Sequence, residues 1–252
     1  MNKIALITGA TSGIGKSCAH IFAKNNYNII ITGRRKDRLE EIAHHLEDKY
    51  AIEVLSLNFD VRNRKEVEAS VESLSDSWKN IDILVNNAGL AVGLTNIQDG
   101  VYEDWERMID TNIKGLLYVT RNIAPLMITR GKGHIINIGS IAGKETYPFG
   151  NVYCGTKHAV DSITKAMRID MVSEGIRVTQ VAPGAVETEF SNVRFKGDDA
   201  KADSIYNGFE PLHPEDIANA VYYCASLPAH VNINDMVIMP TAQANATTII
   251  RD

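Results

Sequence analysis

Short apolar runs alternate along this chain with longer segments in which apolar residues recur at helical spacing. The short runs are rich in β-branched residues, and several are apolar almost throughout, which is typical of parallel strands covered on both faces. They occupy residues 3–8, 28–32, 53–59, 81–85, 134–138, 177–181 and 236–239. The intervening segments predict helices at approximately 14–25, 36–49, 63–78, 102–130, 152–173 and 214–226.

This alternation of strand and helix predicts an α/β fold built on a doubly wound, seven-stranded parallel sheet of the Rossmann type. Right-handed crossovers place helices on both faces of such a sheet and leave ligand sites at the carboxyl ends of the strands. No linker rich in proline, glycine or serine and no block of charge divides the chain. We therefore expect residues 1–252 to form a single domain.

Composition narrows the class of protein. A hydrophobic content of 44% with 23% charged residues suits a globular protein, and no apolar run approaches the length of a membrane span. The first strand follows the initial methionine too closely for a signal peptide, which favours the cytoplasm. The net charge of −5 argues against nucleic acid and anionic lipid as partners, and the three cysteines lack the spacing of metal ligands, so we expect no metal.

Three glycines follow the first strand in the pattern Gly-x-x-x-Gly-x-Gly. Gly9, Gly13 and Gly15 lie between this strand and the first predicted helix. Glycine permits a tight turn and lets the backbone approach a pyrophosphate, while the amides at the start of the helix attract anions. A glycine cluster alone is usually a plain turn, but its position between strand and helix predicts the phosphate loop of a dinucleotide site.

The residues at the end of the second strand indicate which dinucleotide the site would bind. It reads Thr32-Gly33-Arg34-Arg35-Lys36 and offers no carboxylate. An NAD-specific site usually carries an acidic residue here to bind the ribose hydroxyls. Arginine binds phosphate through charge-assisted hydrogen bonds, so Arg34 and Arg35 predict the 2′-phosphate of NADP as their partner. The alternative is that they form the basic first turn of a surface helix.

A tyrosine and a lysine four residues apart suggest a reaction centre. Tyr153 and Lys157 share one face if their segment is helical, and Ser140 and Asn112 precede them in the chain. A tyrosine that acts as a base near neutrality needs its pKa lowered by about three units, or about 4 kcal/mol. One ammonium at about 5 Å supplies roughly 3 kcal/mol at an effective dielectric constant of about 20. Taken singly, each of these residues could equally be structural.

Together these features resemble the short-chain dehydrogenase/reductase family, and the resemblance spans the chain. Asn86-Asn87-Ala88-Gly89 follows the fourth strand, and Pro183-Gly184 follows the sixth. The resemblance implies strand order 3-2-1-4-5-6-7 and hydride exchange with NADP. The cofactor contacts that it implies come from Gly9, Thr11, Ser12, Gly13, Ile14, Gly15, Arg34, Arg35, Asp60, Val61, Asn86, Asn87, Ala88, Gly89, Tyr153, Lys157, Pro183, Gly184, Val186 and Thr188.

The family also implies a division of catalytic roles. Tyr153 exchanges the proton of the substrate hydroxyl, and Ser140 holds the substrate oxygen. Lys157 hydrogen-bonds the nicotinamide ribose, and Asn112 supports a water that links Lys157 to solvent.

Two late segments, 189–199 and 227–234, resemble the NADP-dependent 3-hydroxy acid dehydrogenases, which oxidise serine, L-allo-threonine, 3-hydroxyisobutyrate or 3-hydroxypropionate. Residues 184–212 are expected to form a substrate-loop insertion, in which Arg194 or Lys196 could bind a substrate carboxylate; both could equally be exposed or interface charges.

Another short-chain carbonyl reductase, such as a 3-oxoacyl reductase, is the alternative, and a non-catalytic NADP sensor is less favoured. The subgroup implies a homotetramer, with the long fourth and fifth predicted helices as candidate contacts.

Overall fold

A computed structural model describes residues 2–252 as one parallel sheet with helices on both faces. The seven strands lie in the order β3-β2-β1-β4-β5-β6-β7, which confirms the fold expected from the sequence. The strands are β1 Ile4–Ile7, β2 Asn28–Gly33, β3 Val54–Asn58, β4 Ile81–Asn86, β5 Gly133–Ile138, β6 Ile176–Pro183 and β7 Asp235–Ile238. Each predicted strand is present, with ends that differ by no more than two residues.

The helices are α1 Gly13–Lys24, α2 Lys36–Tyr50, α3 Arg64–Glu72, α4 Tyr102–Ile109, α5 Leu116–Thr129, α6 Asn151–Met171, α7 Phe190–Arg194, α8 Asp199–Ser204 and α9 Pro214–Ser226. Helices α1, α2 and α9 cover one face of the sheet around the buried ring of Phe22. Helices α3, α5 and α6 cover the other face around Ile123 and Met127. Among residues 2–252, no helix is both long enough and apolar enough to cross a membrane.

The structure differs from the prediction in two helices. The third, expected over 63–78, ends at Glu72, because the polar residues that follow form turns, including a hydrogen bond from Ser73 to the Ser70 carbonyl. The fourth, expected as one helix over 102–130, is divided into α4 and α5 by a π-helical segment, Asp110–Gly115. A π turn accommodates one more residue than an α turn, and such turns are frequent at functional sites. Here the segment contains Asn112.

The turn after β1 and the turn after β4 meet without space for an extra methyl group. The Asn87 side chain donates hydrogen bonds to the carbonyls of Thr8 and Gly9, at 2.9 and 3.2 Å. Gly9 adopts a φ of +66°, which favours glycine. A Cβ at Gly15 would lie 2.4 Å from both the Gly9 oxygen and Asn87 Nδ2. Gly15 therefore allows helix α1 to begin directly against these two turns.

Substituting Gly15 tests this close approach. Gly15→Ala should lower the free energy of unfolding by about 1–3 kcal/mol, because its methyl group would overlap backbone atoms that cannot easily move. Gly155→Ala is the matched control, since Gly155 is also helical and a Cβ added there would meet no atom within 4 Å. The control should leave stability unchanged or raise it by up to about 1 kcal/mol. Urea titration measures both, and equal effects would contradict the close-packing account.

Candidate active site

A cavity of about 320 Å³ opens at the carboxyl ends of the strands, from the glycine turn to α6. Most of the residues expected to contact a cofactor line it: Gly9, Thr11, Ser12, Gly13, Ile14, Arg34, Arg35, Asp60, Val61, Asn87, Ala88, Gly89, Tyr153, Lys157, Pro183, Val186 and Thr188. Ser140 lines it as well. Thr111, Glu189 and Phe190 also face this cavity, although no motif in the sequence marks them as cofactor contacts.

Three residues of the expected cofactor set lie outside this lining. Gly15 serves the packing of α1 described above. The Asn86 amide is buried and donates to Thr120 Oγ1 and Asn137 Oδ1, both at 2.9 Å. A Cβ at Gly184 would lie 2.5 Å from Gln243 Oε1. These positions support the walls of the cavity, and their direct contact with a cofactor stays a prediction.

Arginines surround the end of the cavity that lies beyond β2. Arg35 donates to Thr11 Oγ1 through Nε and Nη2, at 3.1 and 2.8 Å, and to Ser12 Oγ at 2.9 Å. Arg34 is about half exposed and lies 4.0 Å from Asp60. Asp60 is itself held by two nitrogens of Arg62. A glycine-lined cradle that ends among guanidinium groups suits a dinucleotide carrying an additional phosphate.

Tyr153 and Lys157 lie on consecutive turns of α6, and both are buried. Lys157 Nζ is 6.0 Å from the centre of the Tyr153 ring and donates to the Ile138 carbonyl at 2.9 Å. Burial lowers the pKa of Lys157 to about 8. The side chain is thus mostly an ammonium at neutral pH, and its single protein hydrogen bond leaves other donors free for a ligand.

Ser140 lies beside Tyr153 at the start of a 3₁₀ turn after β5, where its Oγ accepts a hydrogen bond from the Ala142 amide. Burial raises the pKa of Tyr153 above its ordinary value, and Tyr147 adds to the rise. The Ser140 hydroxyl and the charge of Arg194 oppose the rise without reversing it. Tyr153 is therefore protonated at neutral pH in this structure, as a proton donor must be. The lowered pKa expected from the sequence for a tyrosine that acts as a base is not present here, because burial of the tyrosine outweighs the charges around it.

Asn112 joins three segments around this pair. Its Oδ1 accepts from the Leu90 amide and its Nδ2 donates to the Leu90 carbonyl, each at 2.8 Å. Nδ2 also donates to Thr156 Oγ1 at 3.0 Å. A Cβ added at Gly89 would lie 3.3 Å from Asn112 Oδ1 and 3.6 Å from Lys157 Nζ. The side chain thus fixes the chain after β4 against α6 beside the lysine.

Residues 184–212, the segment expected to form a substrate loop, place Arg194 beside Tyr153. Its guanidinium carbon is 5.7 Å from the centre of the Tyr153 ring, and its Nη2 donates to the Tyr147 hydroxyl at 2.7 Å. Arg194 Nε is buried without a hydrogen-bond partner among the described residues. Phe190, one turn earlier, packs edge to face on Tyr153 at 5.6 Å. This segment therefore brings a cation with an unused donor to Tyr153.

Lys196 lies elsewhere. Its Nζ forms an ion pair with Asp104 at 2.7 Å, on the side of α4, and its backbone has a φ of +55°. The two basic residues that the sequence left as equal candidates are thus separated by the fold.

Comparison with known proteins shows the relationships of the chain. The family model described as short chain dehydrogenase matches residues 3–199. The NADP-dependent 3-hydroxy acid dehydrogenase YdfG of Salmonella typhi is 50% identical over 244 residues, which cover 96% of this chain and 97% of that protein. Sulfoacetaldehyde reductase 2 of Chromohalobacter salexigens is 45% identical over 254 residues and is covered completely, as is this chain.

Among solved structures, the closed form of a serine dehydrogenase complexed with NADP+ superposes with a TM-score of 0.92. It is 47% identical in sequence, and the match covers 99% of each chain.

The Asn112 contacts can be tested by stability. Asn112→Ala should lower the free energy of unfolding by about 2–4 kcal/mol, because each buried polar group of Leu90 left unpaired costs about 1–3 kcal/mol. Asn122→Ala is the control, since within residues 2–252 the Asn122 side chain makes one hydrogen bond, to the Tyr118 carbonyl. That loss should be only about 0.5–1.5 kcal/mol. Chemical denaturation measures the free energy of unfolding of both variants. Equal losses would show that Asn112 does not link these segments.

Proposed function

Because the chain belongs to the short-chain dehydrogenase family, we propose that it is an NADP-dependent oxidoreductase of small 3-hydroxy acids. It would exchange hydride between the C3 hydroxyl or carbonyl of the acid and the nicotinamide. Serine, L-allo-threonine, 3-hydroxyisobutyrate and 3-hydroxypropionate are substrates of this type. The named activities of YdfG and of the serine dehydrogenase support this proposal.

The choice of NADP rests on the basic end of the cavity. Arg34 and Arg35 line it, and no carboxylate stands directly after β2 to bind unmodified ribose hydroxyls. When bound, the nicotinamide supplies the hydride chemistry, and the protein supplies orientation and proton transfer. Lys157, with donors beyond its bond to Ile138, is the residue that would orient the nicotinamide ribose.

Tyr153 carries the proton step. In carbonyl reduction its protonated hydroxyl donates to the substrate oxygen, which Ser140 holds in place. In alcohol oxidation it must first lose its proton, and the ammonium of Lys157, 6.0 Å from the ring, favours the phenolate. Asn112 keeps Lys157 beside the chain after β4, where we propose that a water relays the proton to solvent.

The choice of substrate rests on the position of Arg194 beside Tyr153. A small 3-hydroxy acid presents a carboxylate within a few ångströms of the hydroxyl that reacts, so its site needs a cation close to Tyr153. Arg194 lies there, is oriented by Tyr147, and keeps a buried Nε without a partner among the described residues. A guanidinium matches a carboxylate with two parallel hydrogen bonds. The sulfoacetaldehyde reductase is a relative whose named substrate also carries an acidic group beside a carbonyl.

The site suits a 3-oxoacyl reductase or a non-catalytic NADP sensor less well. A 3-oxoacyl thioester has no carboxylate for Arg194 to bind, so the buried Nε of this partly buried arginine would stay without an anionic partner. A non-catalytic NADP sensor would have no need to hold Tyr153, Lys157, Ser140 and Asn112 in one arrangement.

We further propose a cytoplasmic homotetramer in which residues 184–212 act as the substrate loop. Apolar side chains on the outer faces of α5 and α6, Leu117 and Ile169, are exposed, as is Val172 just beyond α6. Exposed apolar surface on neighbouring helices is typical of an interface between subunits. These helices correspond to the contacts that the sequence suggested.

Removal of the tyrosine hydroxyl tests the mechanism. Tyr153→Phe should lower kcat/KM about 10²- to 10⁴-fold, because the proton donor is lost while the ring remains in place. The dissociation constant for NADPH should stay within about twofold of the original, since Lys157 and the glycine turn are untouched. Tyr222→Phe is the control, because the Tyr222 ring packs on Phe22 away from the cavity. It should change neither kcat/KM nor the dissociation constant for NADPH. A largely active Tyr153→Phe enzyme would refute the assigned role.

A matched pair of loop variants tests the carboxylate site. Arg194→Met should raise KM for 3-hydroxy acids about tenfold to hundredfold, because hydrogen bonds to charged groups contribute about 1.5–3 kcal/mol. Lys196→Met should leave KM unchanged, since that lysine is paired with Asp104. Steady-state kinetics with saturating NADP measures both, and an unaltered KM in Arg194→Met would place the carboxylate elsewhere.

A further inference from the structure

An acidic residue of the substrate loop lies among the arginines of the cofactor site. The carboxylate of Glu189 accepts from Arg35 Nη1 at 2.8 Å and from Arg38 Nη1 at 2.7 Å. Glu189 also lines the cavity, next to Thr188 and Phe190. Neither Glu189 nor Arg38 belongs to the set of cofactor contacts that the sequence suggested, yet together with Arg35 they form one charged cluster.

This cluster leaves Arg35 with little unused capacity. One edge of its guanidinium is bonded to Thr11 and Ser12 of the glycine turn, and Glu189 takes the remaining terminal nitrogen. Arg38 points its Nη1 at the same carboxylate. Of the three arginines closest to β2, only Arg34 lacks a close carboxylate partner among the described residues, because Asp60 is 4.0 Å away and is held by Arg62.

We propose that Glu189 competes with the 2′-phosphate of NADP for Arg35 and Arg38, and so determines how strongly the protein prefers NADP over NAD. The inference rests on the proposed NADP dependence and names a residue that tunes it. Carboxylate and phosphate are interchangeable as anionic partners of guanidinium, so the phosphate must displace Glu189 or share the arginines with it. NAD has no such group and leaves the cluster undisturbed.

Glu189 carries a negative charge at neutral pH. Burial raises the pKa of this carboxyl, but hydrogen bonds from Arg35 and Arg38 and the charges of both arginines outweigh it, so the pKa lies below its ordinary value. Glu189 is therefore an anion throughout the neutral range. Its side chain is about half exposed, so the competition it offers is moderate rather than prohibitive.

The test is Glu189→Gln, which keeps the size and the acceptor oxygen and removes the charge. NADPH and NADH are titrated against the full-length protein, and the ratio of the NADH to the NADPH dissociation constant is compared with that of the unaltered protein. We expect the ratio to rise about threefold, through tighter NADPH binding, because two partly exposed ion pairs no longer compete. The same comparison with 2′,5′-ADP and 5′-AMP should give the same rise.

The matched control is Glu187→Gln, a carboxylate of the same segment that forms no salt bridge with an arginine among the described residues, whereas Glu189 does. It should leave the ratio unchanged, which separates local competition from a general change of net charge. An unchanged ratio in Glu189→Gln, or equal weakening of both cofactors, would overturn the inference and leave Glu189 as a simple contact between the loop and α2. If the unaltered protein showed no preference for NADPH, the proposed NADP dependence would fail first.

Discussion

The buried amide of Asn112 is the contact on which the arrangement of the site depends. It binds both backbone groups of Leu90 and the hydroxyl of Thr156, and so joins the chain after β4, the π-helical segment and α6. Tyr153 and Lys157 lie on the helix that it fixes. An α-helix continuing through residues 110–115 would turn this side chain differently, so the contacts of Asn112 depend on the wider π turn.

A second constraint joins the two halves of the sheet. The glycine turn after β1 lies directly against the turn after β4, because Gly15 has no side chain and Asn87 bonds to the carbonyls of Thr8 and Gly9. The end of the cavity at the glycine turn is thereby held at a set distance from Lys157. A cofactor that binds to the glycine turn can thus place its far end beside the tyrosine.

Residue patterns predicted the strands, the glycine turn and the pair Tyr153 and Lys157, because these depend on local periodicity and on spacing along one helix. The division of residues 102–130 was not predictable, since its apolar periodicity continues through the π segment. Spacing also could not choose between Arg194 and Lys196. Arg194 ends α7 and Lys196 follows it by two residues, yet the arginine bonds to Tyr147 and the lysine pairs with Asp104 of α4. Glu189 could not be assigned to the cofactor site from the sequence either, because its arginine partners are more than 150 positions away.

A cation beside the catalytic tyrosine, Arg194, is what selects small hydroxy acids in the mechanism proposed here. The most direct measurement compares kcat/KM for NADP-linked oxidation of L-serine, L-allo-threonine and 3-hydroxyisobutyrate with that for NADPH-linked reduction of a 3-oxoacyl thioester. We expect at least one of the acids to be turned over efficiently and the thioester, which offers Arg194 no carboxylate, to be a poor substrate. A clear preference for the thioester would contradict the role of this cation.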